Sequence, residues 1–163
     1  HPHLLQSTAH GRYDILFAFP GASLLLDAGG KLQRPDGCGP DGNDFLDSLD
    51  GWWQLLATSS PDAYDLPFTG GWFIYLGYEL AAQVEPTLSL PAAPHDLPVA
   101  IATRFATALI RDRGAGRVHL VAETGWDTQL EQMEQDLHDA GQSESTDPLP
   151  SAIAQMTEAP EGD

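Results

Sequence analysis

PFTGGWFIYLGYELAAQVEP, from Pro67 to Pro86, holds five aromatic rings (Phe68, Trp72, Phe73, Tyr75 and Tyr78) and three glycines (Gly70, Gly71 and Gly77). A plain buried strand has no use for so many glycines, which weaken a ladder and offer no side chain to pack. A plain loop has no use for so many rings, each of which brings a large apolar surface that favours burial. The stretch reads as a strand that passes through Gly77 into a helical start near Tyr78. Its composition raises the question of what the strand presses against.

Upstream, GRYDILFAFPGASLLLDAGGKLQ (Gly11 to Gln33) reads as two strands joined at Pro20-Gly21, with a further turn over Asp27 to Gly30. LLQSTA (Leu4 to Ala9) reads as a short strand leading into the first of them. RPDGCGPDGND (Arg34 to Asp44) is a loop by its Gly, Pro and Asp content, and its carboxylates lack the spacing of a calcium loop. From Asn43 to Ser59, apolar residues Phe45, Leu46, Leu49, Trp52, Trp53 and Leu56 recur at helical spacing, so an amphipathic helix is predicted with Asn43 or Asp44 as its cap. The tryptophan pair reads as core rather than as a ligand cage.

Downstream, Pro86 to Pro98 carries too many prolines for a regular helix. Val99 to Glu123 reads as a hairpin, two apolar strands flanking RDRGAGR. Trp126 to Gly141 is predicted as a surface helix with the stripe Leu130, Met133 and Leu137, capped by Asp127 or Thr128 and stopped at Gly141. The rest is acidic and rich in Ser and Pro. The expectation is therefore an α+β domain over residues 1–141, an antiparallel β-sheet or sandwich with flanking helices, followed by an acidic linker over 142–163.

The 163 residues suffice for one domain with a real core. With 7 Lys+Arg against 24 Asp+Glu, the net charge of -17 argues against nucleic acid and against an anionic membrane surface. One lysine, Lys31, and six arginines equip the chain poorly for processing an anionic substrate. No apolar run approaches the roughly 20 residues of a membrane span. Cys38 is the single cysteine, so an internal disulfide and a Cys-rich zinc site are excluded, and a reducing cytoplasm is the simplest setting. The absence of an initiator Met suggests a chain trimmed or cut from something longer. Gly-rich phosphate loops, GxSxG elbows and paired-His helices do not occur. His10, His95, His119 and His138 are scattered, and His1 and His3 form a terminal pair.

Two segments together resemble the N-terminal domain shared by anthranilate synthase component I and aminodeoxychorismate synthase component I. In that family an LLES-like tetrapeptide precedes a GRY strand, matched here by Leu4-Leu5-Gln6-Ser7 and Gly11-Arg12-Tyr13. A PFxGGxxGYLGYE-like motif follows, matched by Pro67-Phe68-Thr69-Gly70-Gly71 and Tyr75-Leu76-Gly77-Tyr78-Glu79. The resemblance runs from Leu4 to about Asp139, and the YELAAQVEP ending is more like the aminodeoxychorismate branch, which feeds folate synthesis.

The resemblance implies the N-terminal domain of the chorismate-utilising synthase fold, packed on a C-terminal domain that binds chorismate. Ammonia from glutamine, delivered by a partner amidotransferase subunit, would replace the chorismate hydroxyl at C4, with Mg2+ on the substrate carboxylates. The catalytic lysine of that branch lies in a PIKGT-like segment that this sequence lacks, as are the magnesium-holding carboxylates, so this chain alone is expected to be inactive. The resemblance also implies a tryptophan pocket lined by Leu5, Gln6, Ser7 and Tyr13, in which Gln6 departs from the family glutamate and removes an ionic partner for an ammonium. It further implies an inter-domain face at Phe68, Gly70, Gly71, Tyr75, Gly77 and Tyr78, the glycine pair permitting close approach. The alternatives are a strand that is only this domain's own core, a tryptophan-sensing domain of the anthranilate branch, and a stand-alone β-rich interaction module.

Overall fold

Among the described residues, eight strands form two separate antiparallel sheets. The computed structural model describes residues 3–6, 11–38, 42, 44–57, 65–90 and 97–142. The first sheet has the order β1-β2-β7-β8, from β1 (His3–Gln6), β2 (Tyr13–Ala18), β7 (Thr107–Asp112) and β8 (Arg117–Ala122). The second has the order β4-β3-β6-β5, from β3 (Ser23–Leu26), β4 (Leu32–Gln33), β5 (Gly71–Leu76) and β6 (Ala100–Phe105). With helices α1 (Phe45–Leu56), α2 (Ala81–Val84) and α3 (Asp127–Gln142), the class is α+β, as expected.

The turn read at Pro20-Gly21, and a break at Ala106 inside what reads as one hairpin arm, are both corners between sheets. The chain leaves β2 through Phe19, whose φ is +52°, and Pro20, and enters β3 in the other sheet. The apolar run Val99 to Asp112 is likewise two strands, broken at the buried Ala106, with β6 in the second sheet and β7 in the first. The hairpin is confined to β7 and β8, paired from Thr107–Ala122 to Asp112–Arg117. The two corners run side by side: Gly21 N–H donates to the Arg104 carbonyl at 2.9 Å, and Arg104 N–H to the Ala22 carbonyl at 3.0 Å. The Thr107 hydroxyl donates to the Ala18 carbonyl at 2.8 Å. Turn residues punctuate a chain without choosing its partner, so the sequence marked the break at Pro20-Gly21 but not its change of sheet, and it left the break at Ala106, which carries no turn residue, unmarked.

Helix α1 starts at its cap, where the Asp44 carboxylate accepts from the Asp47 N–H at 2.9 Å. It lays Phe45 and Trp52 on the second sheet against Leu24, Leu26, Ala100 and Ala102. The first sheet turns Ile15, Phe17, Ala108 and Ile110 toward Phe105, with Phe68 and Phe73 packed against them. Helix α3 packs on β8 and β7 and buries Met133. The carbonyl of Trp126 receives the first helical N–H, from Leu130, and the helix continues past Gly141 to Gln142. Residues 143–163, the bulk of the acidic segment, lie outside the described residues. Among the described residues no helix is long and apolar enough to cross a membrane.

Candidate functional site

The Pro67–Pro86 stretch divides into an inward and an outward half. Phe68 meets Phe17 edge-on with ring centroids 5.0 Å apart, and Phe73 meets the same ring at 5.5 Å. Trp72 packs edge-on against Trp52 at 5.4 Å and lies under the Arg104 guanidinium at 4.8 Å. From Ile74 onward the strand turns outward. Tyr75 is 42% exposed and Tyr78 76%, with Ile74, Leu76, Val84 and Leu88 exposed beside them. Strand β5 is the edge of its sheet, next to β6 on one side only.

The glycines serve this inward half. Arg104 donates to the Gly71 carbonyl at 2.8 Å, to the Phe105 carbonyl, and to both carboxylate oxygens of Glu123. It thereby ties β6 of one sheet to the end of β8 of the other. Gly70 has φ +132°, and a Cβ there would come within 1.8 Å of Glu123 Oε1. The group that approaches Gly70 is thus this domain's own carboxylate. At Gly71, φ is +154°, and an added Cβ would make ordinary van der Waals contact with the Phe68 ring at 3.4 Å. Gly77 donates to the Val99 carbonyl at 2.7 Å, and a Cβ would meet that same oxygen at 2.9 Å.

At the other candidate site, the register of β1 on β2 separates the residues named from sequence. Leu5 is the partner of Ile15 and so shares the inner face with Tyr13, whereas Gln6 pairs with Asp14 on the opposite face. Ser7 lies outside the described residues. Tyr13, but neither Leu5 nor Gln6, lines a cavity of 270 Å³ together with Arg12, Asp65, Leu66, Asp112, Ala115, Arg117 and His119.

Tyr13, Asp112 and Arg117 form one row across β2, β7 and β8. Arg12 grips the buried Asp112 with its fork, Nε at 3.1 Å from both oxygens and Nη2 at 2.7 Å, while the Ala115 N–H donates at 3.0 Å. These donors, Arg12 first, hold the Asp112 carboxyl down at about 2. On the other face Arg113 pairs with the buried Asp14 and lowers that carboxyl too. The sequence named His119 only among scattered histidines and gave Arg117 no role. Their signal was their i, i+2 spacing on the second arm of the hairpin, which puts both on one face. Among the described residues no group of three or more His, Cys, Asp or Glu side chains is placed to hold a metal ion.

Two four-stranded antiparallel sheets exchanging strands at paired corners, with helices on their flanks, define the fold class. A solved structure shares it: the crystal structure of anthranilate synthase component I from Streptococcus pneumoniae TIGR4, at a TM-score of 0.57 and 18% identity. The likeness covers 92% of this chain and 33% of that one, so the chain spans a third of the length of that relative. No protein-family model and no curated protein matches the sequence. At this identity the likeness shows the fold.

Proposed function

We propose that this chain is the N-terminal domain of an aminodeoxychorismate synthase component I. In this reading a longer subunit converts chorismate and ammonia to 4-amino-4-deoxychorismate in the cytoplasm, the ammonia coming from glutamine through an amidotransferase subunit. Chorismate, Mg2+ and the catalytic groups belong to a C-terminal domain, and the described residues take no chemical step. The observation that carries the reading is the fold shared with an anthranilate synthase component I over 92% of this chain. The match of Tyr75-Leu76-Gly77-Tyr78-Glu79 to the motif named above supports it. The outward half of β5, at Ile74, Tyr75 and Leu76, with Tyr78 just after it, is the surface this reading gives to the C-terminal domain, being apolar and open.

The test is an assay of the native polypeptide with chorismate, ammonia and magnesium. Formation of 4-amino-4-deoxychorismate is expected. Anthranilate instead would move the chain to the sister branch, and no product from an intact, folded subunit would overturn the reading.

Tryptophan is a second proposed ligand, supported by Leu5 and Tyr13 lying on one face of the first sheet. Calorimetric titration is expected to show saturable binding weakened by Ser7→Ala. An absence of heat at millimolar tryptophan would remove it.

A further inference from the structure

We propose that the cavity between Tyr13, Leu66, Arg117 and His119 binds a small organic monoanion, with its charged head toward Arg117 and His119. The inference is independent of the chorismate reading, and it shares only Tyr13 with the described residues of the tryptophan reading, since neither Leu5 nor Gln6 lines this cavity.

The argument begins with the distribution of cations. The chain has only six arginines within a net charge of -17. Arg12 is bound to Asp112, Arg104 to Glu123 and Arg113 to Asp14. Arg117 sits directly across from Asp112 in the β7–β8 register, where an ion pair would be expected. None forms, because the Arg12 fork and the Ala115 N–H already occupy the Asp112 oxygens. The other acid of the cavity, Asp65, also acts on Arg12, raising its pKa together with Asp112. Both carboxylates thus act on Arg12. The exposed Arg117 guanidinium, beside Asp112 on β8, and the His119 imidazole make no hydrogen bond with the described residues. An oxyanion is the chemical complement of such a pair.

The remaining walls set the size and shape. Tyr13 and Leu66 offer an aromatic and an aliphatic surface. The Tyr13 ring is held between the Arg12 guanidinium, 4.8 Å from its centroid, and the Asp65 carbonyl that its hydroxyl approaches at 3.4 Å. The 270 Å³ volume falls just under the range of about 300–1,000 Å³ typical of drug-sized ligand sites, so a small molecule such as benzoate fits within it.

The folded chain, labelled so that its histidine ring signals are resolved, is titrated with sodium benzoate and separately with inorganic phosphate. Saturable movement of the His119 signals by benzoate is expected, with the other histidines as internal references. Arg117→Gln is expected to weaken binding about ten-fold or more, the scale of a charge-assisted bond. Arg111→Gln, on the opposite face of the same strand pair, is the control for bulk charge and is expected to bind as the wild type does. His119 signals that stay still at about 10 mM benzoate, or an Arg117→Gln chain that binds undiminished, would overturn the site. Equal weakening by Arg111→Gln would reduce it to nonspecific charge and overturn it as well. Phosphate binding as tightly as benzoate would contradict the part assigned to Tyr13 and Leu66.

Discussion

Gly70 owes its identity to a side chain 53 positions downstream. Its φ of +132° strains any other residue, and its missing Cβ makes room for the Glu123 carboxylate that Arg104 holds. Gly70→Ala is expected to destabilise the domain by about 1–3 kcal/mol, more than Gly71→Ala, because only the former also collides with a clamped group. Denaturant unfolding of the two variants measures the difference. Adding Glu123→Ala to Gly70→Ala is expected to cost less than the sum of the two changes, since the collision is then gone. From sequence the glycine pair signalled close approach, but not which chain segment approaches. That information sits in the pairing of β6 with β5 and in the corner at Ala106, neither of which leaves a local trace.

The buried Asp112 gives the molecule an acid-sensitive point at the same scale. Its carboxyl is held at about 2 against an ordinary value of 3.8. A depressed carboxyl contributes stability that is present above pH 3.8 and is lost as the pH falls through about 2. Melting temperature is therefore expected to fall across that window. In Asp112→Asn the curve is expected to start lower at neutral pH and to drop less steeply. An unchanged slope would show that Arg12 contributes nothing through this pair.

Among the elements, α1 was the most legible. Helical spacing of Phe45, Leu49 and Trp52 and a capping carboxylate are local signals, and the helix runs from Phe45 to Leu56 behind Asp44 as they imply. Asp44→Ala is expected to cost about 1 kcal/mol, read by thermal or denaturant unfolding. Strand β5 was legible as far as its course, entering a 3-10 turn at Tyr78–Leu80 and then α2. Its division into an inward and an outward half was not, because rings of both halves look alike in sequence. What separates Trp72 from Tyr78 is the position of Trp52 and Arg104, residues remote in the chain. Tyr13 lines the cavity, but its neighbours there come from β7, β8 and the segment at Asp65, none of which the LLQS motif indicates.

At the scale of the whole molecule, one group of exposed apolar residues, Ile74, Tyr75, Leu76, Tyr78 and Val84, lies where β5 ends the second sheet and continues into α2. If Ile74 and Tyr78 are partner-facing rather than core, the paired change Ile74→Ser and Tyr78→Ser should leave the melting temperature of this chain within about a degree of the wild type while reducing its self-association. A large fall in melting temperature would place both residues in the core. Within the longer subunit proposed here the same pair of changes is expected to destabilise, because the face is then covered. Under the proposed function, this open apolar edge is the face that the rest of a longer chain would cover.

The most direct test of that claim is the size of the native polypeptide, read by immunoblot of the source cells with an antibody raised against this chain. The proposal expects a band well above 17.5 kDa, near three times that mass if the relative's proportions hold. A band at 17.5 kDa would contradict it: the domain would then stand alone, and its function would have to be sought in its own cavity and surface.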